Sequence, residues 1–204
     1  ISPSKTLDFK SEMPKHKAEK PLFLNKANEA ISFLQQLSIA EIKDLMSISQ
    51  QLAILNKERF MDWKTVHNEQ NARSALFAYK GDVYDGLNAL NFKAEDIDFA
   101  QNHLRIISGL YGILRPLDLI MPYRLEMGLK FQTESFKNLY EFWNNEINEF
   151  LINDFTNQKD KYLINLASQE YFKTIDNKKL KANIITPVFK EIKDGKPKMI
   201  AIFA

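Results

Sequence analysis

Apolar residues in this chain recur at helical spacing through the first two-thirds and at strand spacing over the last fifty residues. That change of period limits the fold class more than any composition value does. Ala30, Ile31, Phe33, Leu34 and Leu37 share one helical face. Ser38-Ile39-Ala40-Glu41 has the form of a capping box and predicts a helix from about residue 39, while Ser49 caps a further helix carrying Leu52, Leu55 and Phe60. A fourth helix is predicted around residues 73–79, and a fifth over 95–107 with Ile97, Ala100, Leu104 and Ile107 inward. A sixth over 134–153 carries a wide apolar stripe that includes Trp143 and Ile147 and reads as core. Residues 8–25, with Pro14 and Pro21, read as a loop. Residues 162–167 and 183–189 read as strands, and Lys193-Asp194-Gly195-Lys196 with Pro197 turns the second into a third. The pattern predicts an α+β (mixed α/β) fold: a single domain over 1–204, mostly helical at first, whose sheet joins the N-terminal strand to the C-terminal strands.

The 204 residues are enough to bury roughly 70% of the unfolded surface, so one substantial core is available. With 45% apolar and 26% charged residues, disordered and fibrous classes are excluded. The absence of cysteine removes disulfides, thiolate metal sites and cysteine nucleophiles together. Apolar runs fall far short of the ~20 residues of a membrane helix, so no membrane association is expected. The start at Ile1 reads as trimmed, and the closing stretch 198–204 reads as a strand with more chain expected after it.

Net charge is +2, but residues 141–160 carry −4 and residues 171–200 carry +5, a distribution that suits an ordinary solvated surface ahead of a field that steers an anion. Glycine is more uneven: five of the six lie between positions 81 and 128, so most of the unusual backbone belongs there. The three histidines, His16, His67 and His103, have no partner at ligand spacing, and neither a metal nor a cofactor is predicted. His67 and His103 read as polar helix or loop positions, and no Gly-x-Ser-x-Gly elbow accompanies any of the three.

Three segments could carry chemistry. Ser2-Pro3-Ser4-Lys5-Thr6 groups hydroxyls with one cation beside a strand, either an anion site or a capped turn. In Lys80-Gly81-Asp82-Val83-Tyr84-Asp85-Gly86, Asp82 is a candidate acid or base and Tyr84 a stacking platform, although an Asp in a glycine turn also commonly bonds its own backbone. The densest segment contains Ser108, Gly109, Tyr111, Gly112 and Arg115, followed by Tyr123, Arg124, Glu126 and Gly128. A glycine hairpin after a helix can offer amides to a phosphate, and Arg115 and Arg124 can supply guanidinium forks. A helix–hairpin–helix-like element is therefore expected near 95–120, although the glycines are three apart and Pro116 falls inside its second helix. Arg124 and Glu126 equally suit an internal ion pair.

The opening Ser-Pro-Ser-Lys-Thr-Leu, the Tyr79 to Tyr84 stretch, Leu110-Tyr111-Gly112 with Leu114-Arg115-Pro116-Leu117-Asp118, the stretch from Pro122 to Gly128, and Asn165-Leu166-Ala167-Ser168 with Glu170-Tyr171 together resemble the YaaA family of bacterial peroxide-stress proteins. The resemblance covers essentially the whole chain and keeps the motifs in order. It implies a cytosolic protein of the peroxide and oxidative stress response. It also implies a part in limiting free iron, and DNA binding through a positively charged cleft with a helix–hairpin–helix element. Family chains begin a few residues earlier and continue past the equivalent of Ala204 into a basic segment, so a cleft built partly from that segment would be incomplete within residues 1–204. Carried over by position, the cleft would draw on Lys5, Lys80, Arg115 and Arg124, with Ser2, Ser4, Thr6, Gly81, Tyr84, Ser108, Gly109, Tyr111, Gly112, Tyr123, Asn165 and Ser168 as the remaining binding candidates. DNA is the expected partner. The rival expectation is an enzyme for a nucleoside-like or phosphorylated small molecule, using Asp82, Lys5 and Glu170 with Tyr84 nearby.

Overall fold

Local signals build the helical part in order. In the computed structural model, which describes residues 1–156, 160–193 and 196–199, a short strand β1 (Thr6–Leu7) and a long loop precede helix α1 (Leu24–Leu34). Helix α1 buries Ala27, Ala30, Ile31 and Leu34, an i, i+3, i+4, i+7 stripe. Helix α2 (Ile39–Met46) starts at the expected capping box: the Glu41 amide donates to Ser38 Oγ at 3.2 Å and the Ser38 amide to Glu41 Oε2 at 2.7 Å. Ser49 accepts from the Leu52 amide at 3.3 Å and starts α3 (Gln50–Met61).

The stretch predicted as a fourth helix splits into β2 (Arg73–Ser74), the single turn α4 (Ala75–Ala78) and β3 (Tyr79–Lys80). The Ala75 and Leu76 amides donate to the carbonyls of Asp118 and Pro116, so tertiary partners replace helical ones where the segment is buried on all sides. Helices α5 (Asp82–Leu87) and α6 (Ala94–His103) follow. α6 ends four residues before the expected limit, because Ile106 and Ile107 belong to strand β4 (Ile106–Ser108), which forms an antiparallel hairpin with β5 (Gly112–Leu114). Strand β6 (Leu119–Ile120) pairs with β2, and the chain then runs without helix to residue 138. The expected helix–hairpin–helix-like element near 95–120 is not formed: a helix and a β-hairpin are present, but Pro116 lies in a turn and the chain continues into β6 in place of a second helix.

The sixth expected helix begins at Asn138, whose side chain accepts from the Glu141 amide at 2.9 Å. It breaks at Asn144 (φ 40°) into α7 (Leu139–Trp143) and α8 (Glu146–Asp154). Asn144 lies outside the helical region, with ψ −122°, and Trp143 and Ile147 on either side of the break are both buried. Strand β7 (Tyr162–Ile164), the turns α9 (Gln169–Phe172) and α10 (Asn177–Leu180), β8 (Asn183–Ile185), β9 (Lys190–Lys193) and β10 (Lys196–Met199) complete the described chain. β7 and β8 are parallel, and β9 and β10 form a hairpin; the Asp-Gly turn and the stretch 200–204 lie outside the described residues.

The fold is α+β, but the sheet expected to join the two ends of the chain is instead a set of two-stranded pairs. β1 pairs with β3, and the Asp8 amide continues the pairing to the Ala78 carbonyl at 2.7 Å. Pro3 has no N–H to donate, so the opening segment changes partner there: the Ile1 carbonyl accepts from Ile107, and the strand proper turns to Tyr79 and Lys80. The N-terminal segment still meets the later chain, through Ser2 Oγ, which accepts from the Ser168 amide at 2.9 Å.

The core centres on Trp143, Tyr111 and Phe60, and the hairpin turn packs hard into it. Trp143 Nε1 donates to the Gly109 carbonyl at 2.8 Å. A Cβ at Gly109 would lie 2.2 Å from the Leu125 carbonyl oxygen, and one at Gly112, where φ is +72°, would lie 2.7 Å from the Trp143 ring. Gly109→Ala is therefore expected to destabilise the protein by about 3 kcal/mol through forced backbone movement, whereas Gly86→Ala, in α5 with open space around it, is neutral or stabilises by up to about 1 kcal/mol. Urea denaturation midpoints of the two variants check the opposite signs.

Candidate functional site

After β6 the backbone is extended, so side chains alternate. Tyr123, Leu125 and Met127 are buried in the core, while Arg124 and Glu126 lie two residues apart on the other side. Arg124 Nη2 donates to Glu126 Oε1 at 2.9 Å, and Lys5 Nζ lies 3.4 Å from the same oxygen. Lys5 is 68% exposed and Glu126 only 12%, so one sheltered carboxylate organises two cations at a surface. These side chains belong to a pocket whose walls are residues 3–5, 123–126 and 170–171, with about 420 Å³ of space open to solvent. The Glu170 carboxylate is held in that wall by the Gly128 amide at 2.7 Å. Glu126 Oε2 and Arg124 Nε are buried without a hydrogen-bond partner among the described residues.

The sequence motifs converge here from distant positions, largely as supports. Ser4 Oγ donates to the Lys80 carbonyl and accepts from the Thr6 amide, which clamps the turn that carries Lys5. Gly81, at φ +137°, permits that approach, since a Cβ there would lie 3.2 Å from Ser4 Oγ. Tyr84 OH donates to the Ser2 carbonyl at 2.9 Å. Tyr123 OH lies 2.6 Å from both Tyr79 OH and Ser108 Oγ. Burial pushes the Tyr123 phenol up to about 12 and raises Tyr79, Tyr84, Tyr111 and Tyr171 as well, so these hydroxyls stay protonated and position their neighbours.

Other candidates stand elsewhere. Arg115 pairs with Asp118 and Glu19, each at 2.8 Å, and its pairing with fully buried Asp118 closes the turn between β5 and β6. Burial raises the Asp118 carboxyl, and Arg115 opposes the rise. Asp82 is exposed at the start of α5 and is not among the pocket's lining residues, so the Asp82, Lys5 and Glu170 set contributes only its last two members there. The hairpin does not present its turn amides outward: those of Leu110 and Tyr111 donate to Ser108 Oγ at 3.2 and 3.0 Å inside the core. Tyr111 OH accepts from the Met121 amide. Asn165 Oδ1 accepts from the Ala167 amide at 3.0 Å and shapes the turn that carries Ser168.

Beside the pocket, past Lys5, lies a wider groove lined by residues 6–11, Arg59, Lys80 and Pro122, with about 1100 Å³ of open space. Lys10, Arg59 and Lys80 supply its cations and Asp8 its acid. Hydrogen bonds from the Ser11 hydroxyl and from the Ser11 and Lys10 amides hold the Asp8 carboxyl well below the usual carboxylate range, so it remains charged, 4.0 Å from Lys80 Nζ. Burial, together with nearby Arg124, lowers the Arg59 guanidinium. Lys10 and Arg59 carried no sequence signal: Lys10 sits in a polar loop and Arg59 on a helix far along the chain. The alternation of buried and charged residues from Tyr123 to Met127 was the available signal for Glu126.

Among the described residues no group of three or more His, Asp or Glu side chains is placed to hold a metal, and no helix is long and apolar enough to cross a membrane. His16 lies 2.7 Å from Ser74 Oγ, and His103 stacks on Phe99. His67, expected at a polar position, is 3% exposed, packs against Trp63 and lies 2.9 Å from Tyr111 OH.

These features define the class: a single α+β domain built around a small charged pocket and an adjoining basic groove. The family model described as peroxide stress protein YaaA matches residues 1–204, and the chain belongs to that family. It is also similar to a UPF0246 protein of Teredinibacter turnerae, with 50% identity across all of this chain and 80% of that relative.

Burial lowers the His67 imidazole to about 4 from an ordinary 6.5. Between those values the unfolded chain binds the extra proton, so stability is complete above about pH 6.5 and falls by up to about 3 kcal/mol as pH drops toward 4. His67→Gln is expected to flatten that part of the stability curve, which chemical denaturation at a series of pH values measures.

Proposed function

We propose that this peroxide stress protein is cytoplasmic and binds nucleic acid through the groove beside the pocket, mainly by phosphate contacts and with little sequence preference. By occupying DNA it would limit iron-dependent oxidative damage, so its effect on iron chemistry is indirect. The observation that carries the reading is the charge of the groove: Lys10, Arg59 and Lys80 share it with the one carboxylate of Asp8. Lys5, next in sequence to the groove-lining Thr6, adds a further cation on the pocket side. Phosphates require donors and positive charge without a closed cavity, and base edges need not be read at all.

Three phosphates neutralised on duplex DNA predict a slope of about −2.7 in log affinity against log salt. Fluorescence anisotropy with a labelled 20-base-pair duplex across a potassium chloride series measures it. Lys10→Glu with Lys80→Glu is expected to weaken binding at least tenfold at low salt for unrelated sequences alike, and to reduce the slope by about 2. Unchanged affinity and slope in the folded double variant would exclude the groove.

A further inference from the structure

Three rings of the core, Trp63, His67 and Tyr111, line neither the pocket nor the groove. These 204 residues contain no cysteine, so tryptophan and tyrosine are the side chains that give up a single electron most readily. Trp63 keeps 8% exposure, and its indole N–H donates to Asn28 Oδ1 at 2.8 Å. Its ring centre lies 5.7 Å from that of Tyr111, which is fully buried, and 4.9 Å from that of His67. Rings in contact at this range pass an electron directly from one to the other.

Tyr111 differs from other buried phenols in what its hydroxyl meets. The Met121 amide donates to its oxygen at 2.9 Å, and the phenol's own hydrogen then has His67 Nε2, also at 2.9 Å, as its acceptor. That arrangement assigns the ring hydrogen of His67 to Nδ1. Burial lowers the imidazole to about 4, so near neutral pH it is uncharged and open to a proton. Tyr123 and Tyr84 have no such base: Tyr123 OH meets Tyr79 OH and Ser108 Oγ, each at 2.6 Å, and Tyr84 OH donates to the Ser2 carbonyl. A phenol that loses an electron becomes a far stronger acid than an imidazolium. Its oxidation is therefore favoured where a base receives the proton, and opposed where a positive charge would be left in the core.

We propose that Trp63, Tyr111 and His67 form a reversible one-electron relay, a further activity in which a strong one-electron oxidant such as the carbonate radical anion is reduced and the oxidising equivalent is held on Tyr111. The oxidant takes one electron from the Trp63 indole and becomes carbonate. Tyr111 gives one electron to the indole radical cation and its phenolic proton to His67 Nε2, which leaves a neutral phenoxyl radical beside an imidazolium. A soluble one-electron reductant such as ascorbate then supplies an electron, and the proton returns from His67. No covalent bond other than the phenolic O–H is broken, and the protein ends as it began. The relay uses no residue of the groove, so its failure and the failure of nucleic-acid binding are separate results.

Flash oxidation with a tris(bipyridyl)ruthenium sensitiser and persulfate, read by electron paramagnetic resonance after rapid freezing, tests the relay. The protein used carries Tyr140→Phe and Tyr162→Phe, which remove the two tyrosines that are not buried. A tyrosyl signal is expected, reduced to near background by Tyr111→Phe. Trp63→Phe leaves the tyrosine in place and closes the entry, and is expected to slow formation of the radical about tenfold. His67→Gln keeps a hydrogen-bond acceptor but no basic nitrogen, and is expected to cut the yield severalfold, a loss that a merely structural imidazole would not produce. Near-ultraviolet circular dichroism checks that each variant is folded; if Tyr111→Phe is not, the other two carry the test. Ascorbate is expected to abolish the signal, with no oxygen added to Trp63 or Tyr111 by mass spectrometry. Absence of a tyrosyl signal, an undiminished signal in folded Tyr111→Phe, wild-type behaviour of Trp63→Phe or of His67→Gln, or oxygen added at either ring after one cycle would overturn the proposal.

Discussion

The close approach of the β4–β5 turn to the backbone at Leu125 is the contact on which the rest of the molecule depends. Only a residue without a side chain fits between the turn and the Leu125 carbonyl, and Trp143 fastens the arrangement from behind by donating to the Gly109 carbonyl and stacking its ring on Gly112. With the turn fixed, Ser108 Oγ reaches Tyr123 OH, and the extended strip that follows has its inward side chains set at Tyr123, Leu125 and Met127. Arg124 and Glu126 are then left on the other side of the strip, largely sheltered and paired with each other beneath the exposed Lys5. A packing constraint in the core thus decides where these charges stand.

Charge is handled differently in the two adjoining cavities. In the pocket the cations are held by a sheltered carboxylate, which fixes their positions and lowers the entropy they would lose on meeting an anion. In the groove, Asp8 is engaged by the Ser11 hydroxyl and two backbone amides, so it neutralises Lys80 only at 4.0 Å. The first arrangement favours precise contact with a small group, and the second a diffuse field along a polyanion.

What could be read from the sequence was local. The Ser38 capping box, the Ser49 cap and the stripe of α1 are short-range signals, and each appears at its expected place, whereas the strand expected over 183–189 ends at Ile185 and pairs with β7, and the hairpin is made by β9 and β10. The gathering of unusual backbone between residues 81 and 128 was legible from glycine alone, and the pocket's Arg124 and Glu126 lie within that span. Long-range choices were not legible. Nothing in Thr6 or Leu7 states that they pair with Tyr79 and Lys80; that follows from Pro3 breaking the first pairing and from the Ser4 clamp. Residues 72–79 are buried on every side, so they carry no period from which to tell strand from helix. Arg115 resembled a free guanidinium because Glu19, one of its partners, is distant in sequence. His67 looked polar because its apolar neighbours Trp63 and Tyr111 meet it only in the folded core.

The three walls of the pocket come from the start of the chain, from its middle and from residues 170–171. No fragment short of residue 171 contains the complete site, so a chain emerging from the ribosome must be synthesised past that point before the pocket exists. Until then Lys5 and Arg124 are exposed cations without their final surroundings, on a chain whose hairpin core can already have condensed. Closing loops of that length is entropically costly and slow relative to local helix formation. The charged pocket therefore cannot mature before residues 170 and 171 have joined the segments that hold Lys5 and Arg124.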